Sequence, residues 1–282
     1  MEWISRLNET IFYIEQHLTD EIDYKKLAQL ACCSSFHYQR MFTYMAGVPL
    51  SEYIRRRRMT LAAVDLQNGE KIIDVAFKYG YASPTSFNRA FQGIHGVPPS
   101  LAKKTSVSLK SFPPISFKIM IKGAEEMDYK IEKRESFRIV GISQALDKEM
   151  ENNFKVVPQM WSSAVSDGTL EKLLPLMNDQ PRGILGVSVC NEKEDWRYYI
   201  AVATTTMEIG EFEEYLVPAA TWAVFSGKGS GVSIQELERR IFTEWFPASG
   251  YEYGNSADIE VYFDPNPQNT QYEVWVPVVK KK

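Results

Sequence analysis

The chain has 282 residues, 44% of them hydrophobic and 24% charged, which describes a folded globular protein of two ordinary domains rather than a disordered or fibrous one. No run approaches the ~18 consecutive apolar residues of a membrane span, and the first residues lack the basic-then-apolar order of a secretion signal. Twelve basic residues face four acids between Tyr24 and Lys104, a balance of +8 that leaves −12 for the remainder of a chain whose net charge is −4. That split suggests one domain for phosphates and another for something else.

The N-terminal third reads as successive helices. Trp3, Ile4, Leu7, Ile11, Ile14 and Leu18 recur at helical spacing. Asp23 is placed to cap a helix beginning at Tyr24, whose apolar face is Leu27, Leu30 and Ala31. Cys32-Cys33-Ser34 forms a turn, and a helix from Ser35 follows, with Tyr38, Met41 and Phe42 at core spacing and Phe36, Gln39 and Arg40 on the other side. Arginine and glutamine offer paired hydrogen bonds to guanine and adenine edges; a solvated helix face is the plainer alternative. The three cysteines, Cys32, Cys33 and Cys190, cannot build a disulfide framework, so a reducing cytoplasm is expected. Cys32, Cys33 and His37 lack the second ligand pair of a zinc site, and neither a metal nor a cofactor is expected.

A helix from Leu50 to about Leu66 carries Arg55 to Arg58, of which at least one is expected to be buried or paired. At ~1.5 Å rise per residue it spans roughly 25 Å, close to the separation needed to set two recognition helices in successive major grooves ~34 Å apart. One chain then reads an asymmetric site as a monomer. The second unit follows: Ile72 to Tyr79, a turn at Gly80, and a helix begun by Pro84, with Phe87, Ala90 and Phe91 inward and Thr85, Ser86 and Arg89 outward.

The residues Gln39-Arg40-Met41-Phe42, Gly47-Val48-Pro49-Leu50-Ser51-Glu52-Tyr53-Ile54-Arg55, Gly80-Tyr81, Ser86-Phe87-Asn88-Arg89-Ala90-Phe91-Gln92 and Gly96-Val97-Pro98-Pro99 resemble the DNA-binding region of the AraC/XylS family. The resemblance implies sequence-specific binding of double-stranded promoter DNA, activation through RNA polymerase, and contacts from Phe36, Gln39, Arg40, Thr85, Ser86 and Arg89. Cys32-Cys33 departs from the commoner glycine-aromatic pair, and Pro84 stands where a polar contact residue is common.

A linker is expected at 105–126, between a DNA-binding domain at 1–104 and a second domain at 127–282. In the latter, strands at Phe137–Ser143, Ile184–Cys190 and Tyr198–Thr204 surround a helix carrying Trp161. Strands at Thr221–Gly227, Ile259–Phe263 and Tyr272–Val279 surround a helix carrying Trp245. The fold class is therefore α+β: an all-α double helix-turn-helix followed by two strand-helix-strand-strand repeats. Glu273 lies inside an apolar strand, on the same side as Trp275, and a carboxylate beside aromatic walls suits a lipophilic cation; a solvated edge strand is the alternative. Phe137-Arg138-Ile139-Val140-Gly141-Ile142 and Tyr272-Glu273-Val274-Trp275-Val276-Pro277-Val278 are similar to the GyrI-like effector-binding domain, and the whole arrangement resembles the Rob-type regulators. The resemblance implies a small amphipathic, often cationic effector at a central glutamate placed at Glu273, with Trp161, Trp245 and Tyr251 as candidate walls beside Trp275. No catalytic residues are expected, although a hydrolase acting through Glu273 and a protein-interaction module without a pocket stay open. The second half contains no histidine.

Overall fold

A computed structural model describes residues 2–104, 106–118, 126–148, 150–190, 195–264 and 270–281. Two compact units form. One contains residues 1–31 and 46–118, the other residues 32–45 and 119–282. The segment of residues 32–45 thus groups by its contacts with the C-terminal part of the chain.

The helices of the first third are α1 (Glu2–Gln16), α2 (Tyr24–Leu30), α3 (Ser35–Ala46), α4 (Leu50–Gln67), α5 (Ile72–Lys78), α6 (Pro84–His95) and α7 (Pro99–Ala102). Asp23 caps α2, accepting from the Lys25 and Lys26 backbone N–H groups at 2.8 and 3.2 Å. In the first unit, Met59, Leu66, Val75, Phe87 and Phe91 share one apolar core. All four arginines of α4 are engaged: Arg55 and Arg56 pair with Glu52, Arg57 is clamped by Glu15, and Arg58 donates to the Leu18 and Asp20 carbonyls.

Of the expected linker, Thr105 and residues 119–125 lie outside the described residues. Residues 106–118 lie along the first unit, with no helix or strand of their own. The Asn8 side-chain amide exchanges two hydrogen bonds with the Phe117 backbone, at 2.8 and 3.0 Å, and Phe112 N–H donates to Thr60 Oγ1 at 3.1 Å. These bonds explain why a stretch without apolar periodicity is fixed in place: its backbone groups find side-chain partners.

The second unit contains β1 (Tyr129–Arg134), β2 (Phe137–Ala145), α8 (Met150–Ser166), α9 (Thr169–Leu173), β3 (Ile184–Cys190), β4 (Trp196–Ala203), β5 (Glu213–Val217), β6 (Ala220–Gly229), α10 (Gly231–Arg240), α11 (Phe246–Ala248), β7 (Tyr251–Tyr253), β8 (Asp258–Tyr262) and β9 (Thr270–Lys280). A π-helical turn, Ile241–Trp245, joins α10 to α11. The sheet runs β1-β6-β9-β8-β3-β4-β2-β5, with β7 on β9. Its central order β6-β9-β8-β3-β4-β2 is palindromic, with β6, β9 and β8 matching β2, β4 and β3. The α+β class and the duplicated plan are thus present, with one addition. Each copy opens with a further strand, β1 or β5, and that strand pairs with the opposite copy.

Strand alternation divides the side chains between two faces. Ile139, Val187, Ala201, Val224, Ile259 and Trp275 share the core of one face. On the other, Val140, Ile184, Ile200 and Val202 pack with Met160 and Ala164 of α8.

Candidate functional site: a carboxylate-floored cleft

A cavity of about 260 Å³ opens on the helix-bearing face of the second unit. Its floor is Ser188, Tyr198, Glu260 and Tyr262, from three adjacent strands. The register explains their convergence: Ser188 opposes both Tyr198 and Asp258, and Gly186 opposes Glu260, so all project to one face. α8 supplies Phe154, Val157, Pro158 and Trp161, and α10 supplies Ile234 and Glu238. The walls are apolar and aromatic around a few polar groups, which is the usual make-up of a small-molecule site.

Glu260 is held by two phenols. Tyr198 Oη and Tyr262 Oη donate to its Oε2 at 3.1 and 2.8 Å, and Trp161 Nε1 donates to Tyr198 Oη at 2.9 Å. Burial, reinforced by the Glu260 charge, pushes both phenols well above the ordinary tyrosine value, which keeps them donors. Trp161 meets Tyr262 edge-on, ring centroids 4.9 Å apart. Gly186 lies beneath this network, where a Cβ would collide with the Tyr198 hydroxyl and Glu260 Oε2.

α3 belongs to this unit, and its Phe36, Arg40 and Tyr44 line the cavity. Arg40 Nη1 donates to Asp258 Oδ2 at 3.0 Å, Nη2 pairs with Glu238, and Nη2 is 3.7 Å from Glu260 Oε1. Tyr44 Oη donates to Glu238, and His37 Nε2 lies 3.0 Å from Asp258 Oδ2. Phe36 packs on Met150 and Trp196. Burial raises the Asp258 carboxyl, but the adjacent His37 and Arg40 outweigh it and hold the group below the usual aspartate value. Arg40 remains a cation despite its burial, since Tyr44, Asp258 and Glu260 all favour the charge.

The expected site residues scatter differently. Of the five expected at the ligand, only Trp161 lines the cavity. Glu273 requires correction: it opposes Val261 and Ser226, facing away from Glu260, and lies 3.4 Å from Lys130 Nζ while accepting from Trp275 Nε1 at 2.8 Å. Nor is it on a solvated edge, because β9 lies between β6 and β8. Trp275 is buried beside Trp222, under the Arg134 guanidinium. Trp245 and Tyr251 stack on each other, 5.9 Å between centroids, in a cluster with Phe225 and Tyr129. The carboxylate that sequence reasoning passed over is Glu260. Its signal was present in Asp258, Glu260 and Tyr262, three polar or aromatic residues alternating with Ile259 and Val261 along a strand.

Among the expected DNA contacts, Thr85, Ser86 and Arg89 are exposed on α6, whereas Phe36 and Gln39 are buried and Arg40 is engaged as described. Tyr38, Met41 and Phe42 are buried, as the helical spacing requires. No helix among the described residues is long and apolar enough to cross a membrane. No disulfide joins the cysteines among the described residues.

Two protein families match parts of the chain. Residues 127–279 match the family described as a GyrI-like small molecule binding domain, and residues 27–105 match a helix-turn-helix domain family. The HTH-type transcriptional activator AarP of Providencia stuartii is 40% identical over 98 residues, 34% of this chain and 73% of that protein. The right origin-binding protein of Escherichia coli (strain K12) is 22% identical over 301 residues, 99% of each chain. Among solved structures, SAV2435 bound to tetraphenylphosphonium is 19% identical with a TM-score of 0.47, covering 54% of this chain and 94% of that one.

Proposed function

Since the chain belongs to the AraC family of DNA-binding transcription regulators and carries a GyrI-like small-molecule-binding domain, we propose that it is a cytoplasmic one-component activator whose effector is a small amphipathic cation seated against Glu260. The observation that carries this reading is the cleft floor: one carboxylate held by two tyrosines and walled by Trp161. A charge in such surroundings is costly unless it is paired, and a bound cation with an aromatic body satisfies both the carboxylate and the apolar walls. Promoter DNA and RNA polymerase are the macromolecular partners of this reading, and the cleft acts as a sensor rather than a catalyst.

The test is a calorimetric titration of the full chain with naphthylguanidinium and its neutral isostere naphthylurea. The guanidinium binds more tightly, and Glu260→Gln removes about 1.5–3 kcal/mol of its affinity, roughly ten- to 150-fold. Equal binding of the urea and the guanidinium would sink the cation reading.

A further inference from the structure

A guanidinium already stands where the cation of that reading would go. Glu260 Oε2 is taken by Tyr198 and Tyr262, so its remaining oxygen, Oε1, is the one open to a cation, and Arg40 Nη2 lies 3.7 Å from it. Asp258 and Glu238 complete the ring of carboxylates around the same side chain. Phe36, one helical turn before Arg40, supplies the aromatic body against Met150 and Trp196. Arg40 and Phe36 thus fill the cleft in the manner of an arylguanidinium.

We propose that Arg40 is an internal occupant of the effector cleft, and that an aromatic guanidinium or amidinium ligand binds by displacing it, releasing the DNA-reading face of α3. This rests on the reading of the cleft as an effector site. Of the residues aligned with DNA contact, Phe36 and Gln39 are buried and Arg40 is paired with Glu238 in this arrangement. A helix in this position cannot offer them to a major groove. Gln39 bears the cost most plainly: its Nε2 is buried without a hydrogen-bond partner among the described residues, a group that the docked state leaves desolvated and DNA would satisfy. Removing Arg40 leaves Glu238, Asp258 and Glu260 without their shared cation, which a charged ligand replaces and a neutral one does not. The ligand therefore binds the undocked state better than the docked one, as any ligand that shifts a conformational equilibrium must.

Two measurements on the full chain test this, with naphthylguanidinium as the probe. Arg40→Ala removes the internal competitor, so the probe binds at least about tenfold more tightly than to the parent. In the parent, a saturating probe exposes His37, now 4% exposed beside Asp258, and its modification by diethyl pyrocarbonate rises severalfold, while His95, buried in the other unit, serves as the control. The labelling arm needs no variant, so it stands even where Arg40→Ala folds poorly. Equal affinities together with unchanged His37 labelling overturn the displacement and leave the effector site standing. Failure of the probe to bind either protein overturns the effector reading itself, and the displacement with it.

Discussion

In α6 the side chains of Thr85, Ser86, Asn88 and Arg89 are exposed, whereas Phe36, His37 and Gln39, at the first three matching places of α3, are buried, and Arg40, at the place of Arg89, is held by carboxylates. The local plan is the same. Ser34 and Ser83 each receive the backbone N–H three residues on, at 3.3 and 3.2 Å, and Tyr38 and Phe87 both turn inward. The difference lies in what faces each helix, and it shows that local sequence builds a recognition helix without deciding whether that helix is available.

The largest effect that sharpens this contrast is in stability. Phe87→Ala, in a core belonging to the second helix-turn-helix itself, costs about 3–5 kcal/mol in urea unfolding. Phe36→Ala costs less, because its loss is capped by the free energy of docking. Equal costs would argue that Phe36 is an ordinary core residue. On duplexes selected from a random-sequence pool, Arg89→Ala weakens binding by about 1–3 kcal/mol, roughly five- to 150-fold. Arg40→Ala weakens it less, since on the proposed reading the loss of its DNA contact is offset by the release of α3.

The turns give a smaller effect of opposite sign in the two units. Gly80 adopts φ +80° two residues past α5, and Cys32 adopts φ +56° two residues past α2. Only glycine takes that region freely, so Gly80→Ala destabilises by about 1 kcal/mol and Cys32→Gly stabilises by a similar amount in thermal unfolding. The sequence departure at Cys32 therefore has a physical cost. The smallest effect concerns pH. Burial lowers the His95 pKa below its ordinary value, and the neutral ring fits its partners, Nε2 donating to the Met59 carbonyl and Nδ1 accepting from Lys110 N–H. A depressed folded value means the unfolded chain takes the proton first, so the contribution is full above the unfolded pKa of about 6.5 and is lost as pH falls towards the folded value. Unfolding between pH 7.5 and 5 shows this slope, at most about 1.4 kcal/mol per pH unit for one proton, and His95→Gln flattens it.

Helix periodicity and capping made the seven helices of the first third legible apart from α7, since their signals are local: Asp23, Gly80 and Pro84 each act within a turn of where they stand. In the second unit the long strands and the repeat were legible, but β1, β5 and β7 were not. β1 and β5 have exposed, charge-rich faces with weak alternation, and β7 has only three residues. Glu273 and Glu260 look alike in sequence, each a carboxylate inside an apolar strand. Only the register, which sets Glu260 opposite Gly186 and Glu273 opposite Val261, shows which one faces the cleft. The covering of α3 is a long-range contact with Asp258 and Glu238, and no local pattern encodes it.

The contrast between the two recognition helices can be measured without any ligand or operator. Phenylglyoxal treatment of the full chain, followed by peptide mass analysis, compares Arg40 with Arg89 in one sample. The account predicts rapid modification of exposed Arg89 and slow modification of Arg40 held by Glu238 and Asp258; equal rates at the two arginines would contradict it.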